Sequence, residues 1–255
     1  MNAQHGPQTP PNAARSPDAD GLRVIRDLAE RPFTCSRLVA FEGELWLHKR
    51  FRVPGLPGAL QAAVAGALMR FEVSSCRSFE GLPGTAARTR PVDRRSFLRE
   101  WVEGTDLRSL KRAGGRVPDG FFDELRAILD AVHARGVAYN DLEKKDNVLL
   151  TPAGRPVLID YQISVSEYCG RPAWLRSLSR RIVRELQRQD LRYLYKMKRR
   201  LRPDLVTAEE ERMSRERSRA ARVYLPLWRV LHGLKRWLIP KGASALGFGD
   251  RRPSC

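Results

Sequence analysis

Apolar and polar positions change period several times along this chain. Residues 38–51, LVAFEGELWLHKRF, alternate around Glu42-Gly43, so the spacing predicts a β-hairpin whose second strand carries Lys49. Residues 58–79 are Ala-rich and read as a helix, with Leu68, Phe71 and Val73 expected toward a core and Glu72 beside them. SFLREWVEG reads as a further strand that stops at Gly104. In PDGFFDELRAILDAVHARG, Phe121, Phe122, Leu125, Ile128, Leu129 and Val132 recur at helical spacing, and Gly136 stands where a glycine closes a helix. VAYNDL follows, then NVLLTPAGRPVLID folded at Ala153-Gly154, then helices to the end. The predicted order is hairpin, helix, strand, helix, loop, hairpin, helices.

The ends of the chain differ from this middle. Residues 1–20 hold four Pro and no aromatic residue, and their burial cannot offset the entropy of ordering a backbone, so they read as a disordered tail. No charged segment leads into an apolar one there. The longest apolar stretch, residues 58–69, is too short and too rich in Ala to span a bilayer, and a cytoplasmic protein is expected. Cys35, Cys76, Cys169 and Cys255 are scattered without any CxxC, so neither a zinc site nor a disulfide framework is indicated.

Charge changes the picture of the C-terminal third. The chain has a formal charge of +18, and residues 171–255 carry 23 Lys plus Arg against 8 Asp plus Glu. That balance suits attraction to an anionic partner, while the excess of Arg over Lys, 39 to 8, also fits a merely solvated surface. In residues 223–240, Tyr224, Leu227, Trp228, Leu231, Leu234 and Leu238 share one face after Pro226. This segment reads either as packing on the rest of the domain or as an interfacial helix on anionic membrane. No recognised nucleic-acid module is present.

Against this basic background, GVAYNDLEKKDNVLL and VLIDYQIS place Asp141, Asp146, Asn147 and Asp160 close together. Moving a phosphoryl group from ATP to a hydroxyl needs a carboxylate to orient the hydroxyl proton, oxygen ligands for Mg²⁺ and a cation on the phosphates. Asp141 follows a core helix, as a base would. The hairpin over 148–159 would return Asp160 to the neighbourhood of Asn147. Asp and Asn are also common turn residues, and Asp146 competes with Asn147 as the second ligand.

The run HARGVAYNDLEKKDNVLLTPAGRPVLIDYQIS resembles the catalytic and metal loops of the protein-kinase-like fold. The resemblance spans roughly residues 30 to 200. It is closest to the bacterial branch related to RIO-type kinases and to lipopolysaccharide-core (Kdo/heptose) kinases. Tyr139-Asn140-Asp141 stands in place of H-R-D, with Asn147 six residues after the Asp instead of five, and Asp160-Tyr161-Gln162 stands in place of D-F-G. D-L-x-K-x-x-N and D-F-Q are patterns of that bacterial branch, whereas Tyr139 for His departs from both groups.

The resemblance implies Asp141 as catalytic base, Asn147 and Asp160 as magnesium ligands, and Lys49 as the lysine on the ATP phosphates. Lys49 is the only lysine before residue 111 in a chain that prefers Arg. It further implies Glu72 as the partner of Lys49, Glu100 to Val102 as the backbone segment that holds adenine, and Asp190 as a helix aspartate bracing the catalytic loop. No G-x-G-x-x-G occurs between residues 21 and 49, and Thr34 and Ser36 in FTCSR are the candidates to replace that loop.

The expected protein is an α+β, two-lobed kinase-like domain: a β-rich lobe over 21–104, an abbreviated helical lobe over 105–220 and a basic extension over 221–255. Its expected activity is ATP- and Mg-dependent transfer to a protein Ser/Thr or to a Kdo or heptose hydroxyl, with peripheral contact at the inner membrane in the second case. The alternative is a pseudokinase that binds a partner through its basic C-terminal region.

Overall fold

The computed structural model describes residues 21–167 and 176–216. Five strands form the first layer: β1 (Arg23–Arg31), β2 (Thr34–Phe41), β3 (Glu44–Phe51), β4 (Thr89–Asp93) and β5 (Ser96–Glu100). They pair antiparallel in the order β1-β2-β3-β5-β4. The β2/β3 hairpin turns where the alternation predicts, at Glu42 (φ 51°) and Gly43 (φ 81°), the doubly positive φ that matches strand twist.

Alternation then sorts the side chains onto two faces. Val39, Trp46 and Leu98 pack with Leu22 on one face. Phe51 and Phe97 pack on the other against Ala65, Met69 and Val73 of helix α1 (Gly58–Arg77). Lys49 lies opposite Phe97 in the register, so it shares the α1 face of the sheet.

Three expectations are corrected here. The hairpin does not begin the sheet, because β1 precedes it; RVIRDLAER is mostly solvated on both faces and carries no clean apolar alternation. Phe71 does not face the core but is 60% exposed, while Glu72 takes the inward position beside Val73. The strand read over SFLREWVEG ends at Glu100, and residues 101–104 run on without pairing. Gly104 is needed on that run, since a Cβ there would stand 2.8 Å from the Leu150 carbonyl oxygen.

The second lobe holds β6 (Thr105–Asp106), α2 (Leu107–Arg112), α3 (Phe121–Ala134), β7 (Val137–Ala138), β8 (Val148–Leu150), β9 (Pro156–Leu158), β10 (Val165–Ser166), α4 (Arg176–Leu201) and α5 (Ala208–Arg215). Strands β6, β8 and β9 form one small sheet, and β7 pairs with β10. Phe121, Phe122, Leu125, Ile128, Leu129 and Val132 of α3 are all buried, as their spacing predicts. Burying six such side chains contributes on the order of 10 kcal/mol before the entropy cost of ordering them. Gly136 (φ 68°) follows the helix and donates its amide to the His133 carbonyl, 2.9 Å.

The lobes are stitched behind the cleft. After α1 the chain crosses to the second lobe, where Phe79 stacks on Tyr161 with ring centroids 4.3 Å apart. The Ala86 amide donates to the Tyr161 hydroxyl (2.8 Å), which itself donates to the Leu158 carbonyl (2.6 Å). Among the described residues no helix is long and apolar enough to cross a membrane. The 223–240 segment, with the choice between packing and an interfacial helix, lies outside the described residues.

Candidate active site

Lys49 projects from the middle strand of the sheet toward α1, and its Nζ lies 2.7 Å from Glu72 Oε1. Glu72 is 2% exposed. A carboxylate so far from water needs its lone pairs filled. The other oxygen, Oε2, accepts from Gln162 Nε2 at 2.7 Å. One carboxylate thus joins the first lobe's lysine to the loop that carries Asp160, and Glu80, eight residues on, is not involved.

Thr34 and Ser36 lie opposite Phe51 and Lys49 in the β2/β3 register, so they share the face of Lys49. The connection before them is only Pro32-Phe33, a two-residue turn in place of a long phosphate loop. Beyond β5, the Glu100 amide donates to the Arg88 carbonyl, 2.9 Å, while Val102 lies in the unpaired run after the strand.

The loop from β7 to β8 holds Asp141 and Asn147, both buried. Asn147 donates from Nδ2 to the Asp141 carbonyl, 3.2 Å, which fixes the amide and leaves Oδ1 as its free hard oxygen. Hairpin β8/β9 then brings the chain back, and the Ile159 amide donates to the Asn147 carbonyl at 3.0 Å. Asp160 is next in sequence. Asn140 (φ 61°) and Asp160 (φ 67°) both adopt left-handed backbone, a conformation that costs a residue with a side chain roughly 1 kcal/mol or more and collects at functional loops.

Asp146 is turned the other way. Its carboxylate pairs with Arg108 at 2.5 Å and is half exposed, so the two adjacent oxygen candidates are separated by the single turn over Lys145–Asn147.

Two residues brace this loop. Asp190, on α4, is fully buried; its Oδ2 accepts from the Tyr139 amide (2.8 Å) and its Oδ1 from the Asn140 amide (2.7 Å). His133 Nε2 lies 3.0 Å from the same Oδ2. Burial pushes the Asp190 carboxyl up, and His133 and the two amides work against that shift. Tyr139 is the second brace. Burial keeps its phenol protonated, and the hydroxyl donates to the Ile159 carbonyl at 2.5 Å, one residue before Asp160. The tyrosine in the place of histidine therefore ties the catalytic loop to the metal loop.

The sequence reading left Lys144 and Gln162 without roles. Lys144 Nζ lies 2.7 Å from Asp141 Oδ2. Burial raises the Asp141 carboxyl above the usual carboxylate range, the Lys144 ammonium opposes that rise, and the Asp160 charge adds to it. The pattern D-L-x-K carries the signal for Lys144. Gln162 had none, because its partner is 90 residues away. Cys76, behind Glu72, is inert by contrast, since burial pushes its thiol up to about 12.

Neither protein-family models nor curated protein sequences match the chain. Solved structures do. The Rio2 kinase from Chaetomium thermophilum superposes with a TM-score of 0.50 at 15% identity, over 74% of this chain and 63% of that one. The same kinase in complex with ADP, Mg²⁺ and phosphoaspartate superposes with a TM-score of 0.51 at 14% identity, over 83% of this chain and 67% of that one. At these identities the likeness establishes the fold, which is protein-kinase-like. The chain thus spans about two thirds of the length of these neighbours.

Proposed function

We propose that this protein-kinase-like domain is an ATP- and Mg²⁺-dependent phosphotransferase acting on a hydroxyl. The observation that carries the reading is the Glu72 carboxylate held between Lys49 and Gln162, because it fixes a lysine of one lobe against the loop of Asp160 in the other. A purely structural ion pair would not need partners from both sides of a cleft. The Rio2 complex with ADP and Mg²⁺ supports the choice of nucleotide and metal.

In this reading Lys49 contacts the ATP phosphates, and Asn147 Oδ1 with the Asp160 carboxylate holds magnesium. Bound magnesium neutralises phosphate charge during transfer. The acceptor hydroxyl loses its proton to Asp141 as its oxygen bonds to the γ-phosphorus, the bond from that phosphorus to the bridging oxygen breaks, and ADP leaves. Lys144 stands ready as a second cation, at the cost of its pair with Asp141. The Glu100 amide is already engaged, so adenine is held by carbonyls at this point and by the Val102 amide beyond it. Thr34 and Ser36 take the place of a glycine-rich loop over the phosphates.

The acceptor hydroxyl belongs to a protein Ser/Thr or to a Kdo or heptose sugar, the latter with peripheral contact at an anionic membrane. Transfer of labelled γ-phosphate to protein and to core-oligosaccharide acceptors, run in parallel, tests this. Transfer to one class that is lost in Asp160→Ala is the expected result. Nucleotide binding without transfer to either would leave a kinase-shaped binding module, the pseudokinase reading.

A further inference from the structure

The two lysines that follow Asp141 point to different neighbours. Lys144 turns inward to the Asp141 carboxylate. Lys145, the next residue, lines a small cavity between the catalytic loop and α4, together with Lys196 and Arg200 of that helix. On its other side α2 meets the same turn through the Arg108–Asp146 pair. The charges of Lys111, Arg200 and Arg108 all bear on the Lys145 ammonium.

The acidic groups of this neighbourhood are already taken. Asp146 is held by Arg108, and Glu143 accepts from the Tyr193 hydroxyl at 3.1 Å and pairs with Lys196 at 3.4 Å. Among the described residues Lys111, Lys145 and Arg200 form no ion pair. Like charges this close repel each other, and the repulsion is relieved only by counter-ions or by a bound anion. Exposed side chains that repel can swing apart into solvent. Lys145 cannot swing far, since it sits in a tight turn between two helices.

We propose that the acceptor carries an anionic group, a phosphate or a carboxylate, and that Lys111, Lys145 and Arg200 bind it while Asp141 takes the hydroxyl. Lys145 is four residues from Asp141, so chain geometry limits their Cα separation to about 14 Å. Hydroxyl and anion therefore belong to the same unit of the acceptor or to neighbouring units. This deepens the phosphotransferase reading and rests on it for the role of Asp141. It also gives part of the basic C-terminal third a specific task, because Arg200 comes from that third.

The test uses the full chain saturated with Mg·ADP, so that acceptor binding is read without turnover. Calorimetric affinities are measured for a serine peptide bearing phosphoserine within four residues of the serine, for its glutamate and glutamine versions, and for core oligosaccharide before and after phosphatase treatment. In at least one series the anionic form should bind tenfold or more tightly than its neutral counterpart, and the series that responds identifies the source of the anion. The combined variant Lys111→Gln, Lys145→Gln, Arg200→Gln should cut that preference below threefold, with Mg·ADP affinity unchanged. The single variant Arg200→Gln, at an exposed position, gives a partial loss if the combined one folds poorly. Equal binding of anionic and neutral forms in both series, or a preference that survives the variants, overturns the proposal. Should Mg·ADP fail to bind while the anion preference holds, phosphotransfer falls and the anion site stands.

Discussion

Gln162 donates to Glu72 at 2.7 Å across 90 residues of sequence, on the carboxylate oxygen that Lys49 leaves free. Kinase metal loops of the D-F-G type carry glycine at this third position, which can donate nothing from a side chain. Here the glutamine amide makes the Lys49–Glu72 pair part of the metal loop's own structure. Lobe closure and magnesium-loop geometry are therefore coupled through one carboxylate.

Gln162→Ala should leave the fold intact and weaken Mg·ATP binding roughly tenfold, the loss expected for one hydrogen bond to a charged group. Calorimetry against Mg·ATP and Mg·ADP reads it. Wild-type affinity in the variant would mean that Lys49 and Glu72 hold their geometry unaided.

Asp190→Ala should be the most destabilising change in the loop region. It strands the amides of Tyr139 and Asn140 in the interior, each at about 1–3 kcal/mol. Denaturant unfolding gives the total, and hydrogen exchange of those two amides should speed up before the global transition. A loss no larger than that of an exposed helix aspartate would remove the bracing role.

Asp141 gives a pH signature. Burial raises its folded carboxyl, so the base is ionised only above the usual carboxylate range, and the acid limb of the activity profile should lie correspondingly high. Lys144 lowers that value, so Lys144→Met should move the limb to still higher pH. The stability sign runs the same way. A folded value raised above the unfolded one gives stability that is complete below the unfolded value and is lost as pH rises through the folded one. At neutral pH ionised Asp141 therefore costs stability, and Asp141→Asn should melt no lower than wild type while losing activity. A lower melting temperature in Asp141→Asn would contradict the burial account.

Asn147 and Asp146 should separate cleanly. Asn147→Ala should lower turnover by a hundredfold or more and recover partly at high Mg²⁺ or Mn²⁺. Asp146→Ala removes only a half-exposed pair with Arg108, worth about 0–1 kcal/mol, and should stay near wild type. The opposite ranking in steady-state kinetics would move the ligand to Asp146.

Much of this was legible in the chain because it is local. The β2/β3 and β8/β9 turns announce themselves through glycine between alternating runs, and the six apolar residues of α3 fix its buried face. What was not legible depends on partners far away or on edges. Strand β1 exists because β2 offers it a ladder, not because its own residues alternate. Strand β4, with Pro91 in it, is the other edge. Phe71 was read inward because helical spacing cannot tell Phe71 from Glu72 when both flank the buried stripe, and the ion pair with Lys49 decided the rotation. Tyr139 looked like a loss of support until its hydroxyl was placed on the Ile159 carbonyl.

The central claim is phosphoryl transfer from a site spanning Lys49, Asp141, Asn147 and Asp160. It is tested most directly by labelled γ-phosphate transfer from Mg·ATP, with thermal melting and nucleotide binding measured on the same samples of wild type, Lys49→Met and Asp160→Ala. The account predicts Mg²⁺-dependent transfer by wild type and a loss of a hundredfold or more in both variants, with melting temperatures close to wild type. A well-folded Asp160→Ala protein that transfers phosphate at the wild-type rate, or a wild type that binds no nucleotide with Mg²⁺ present, would contradict it.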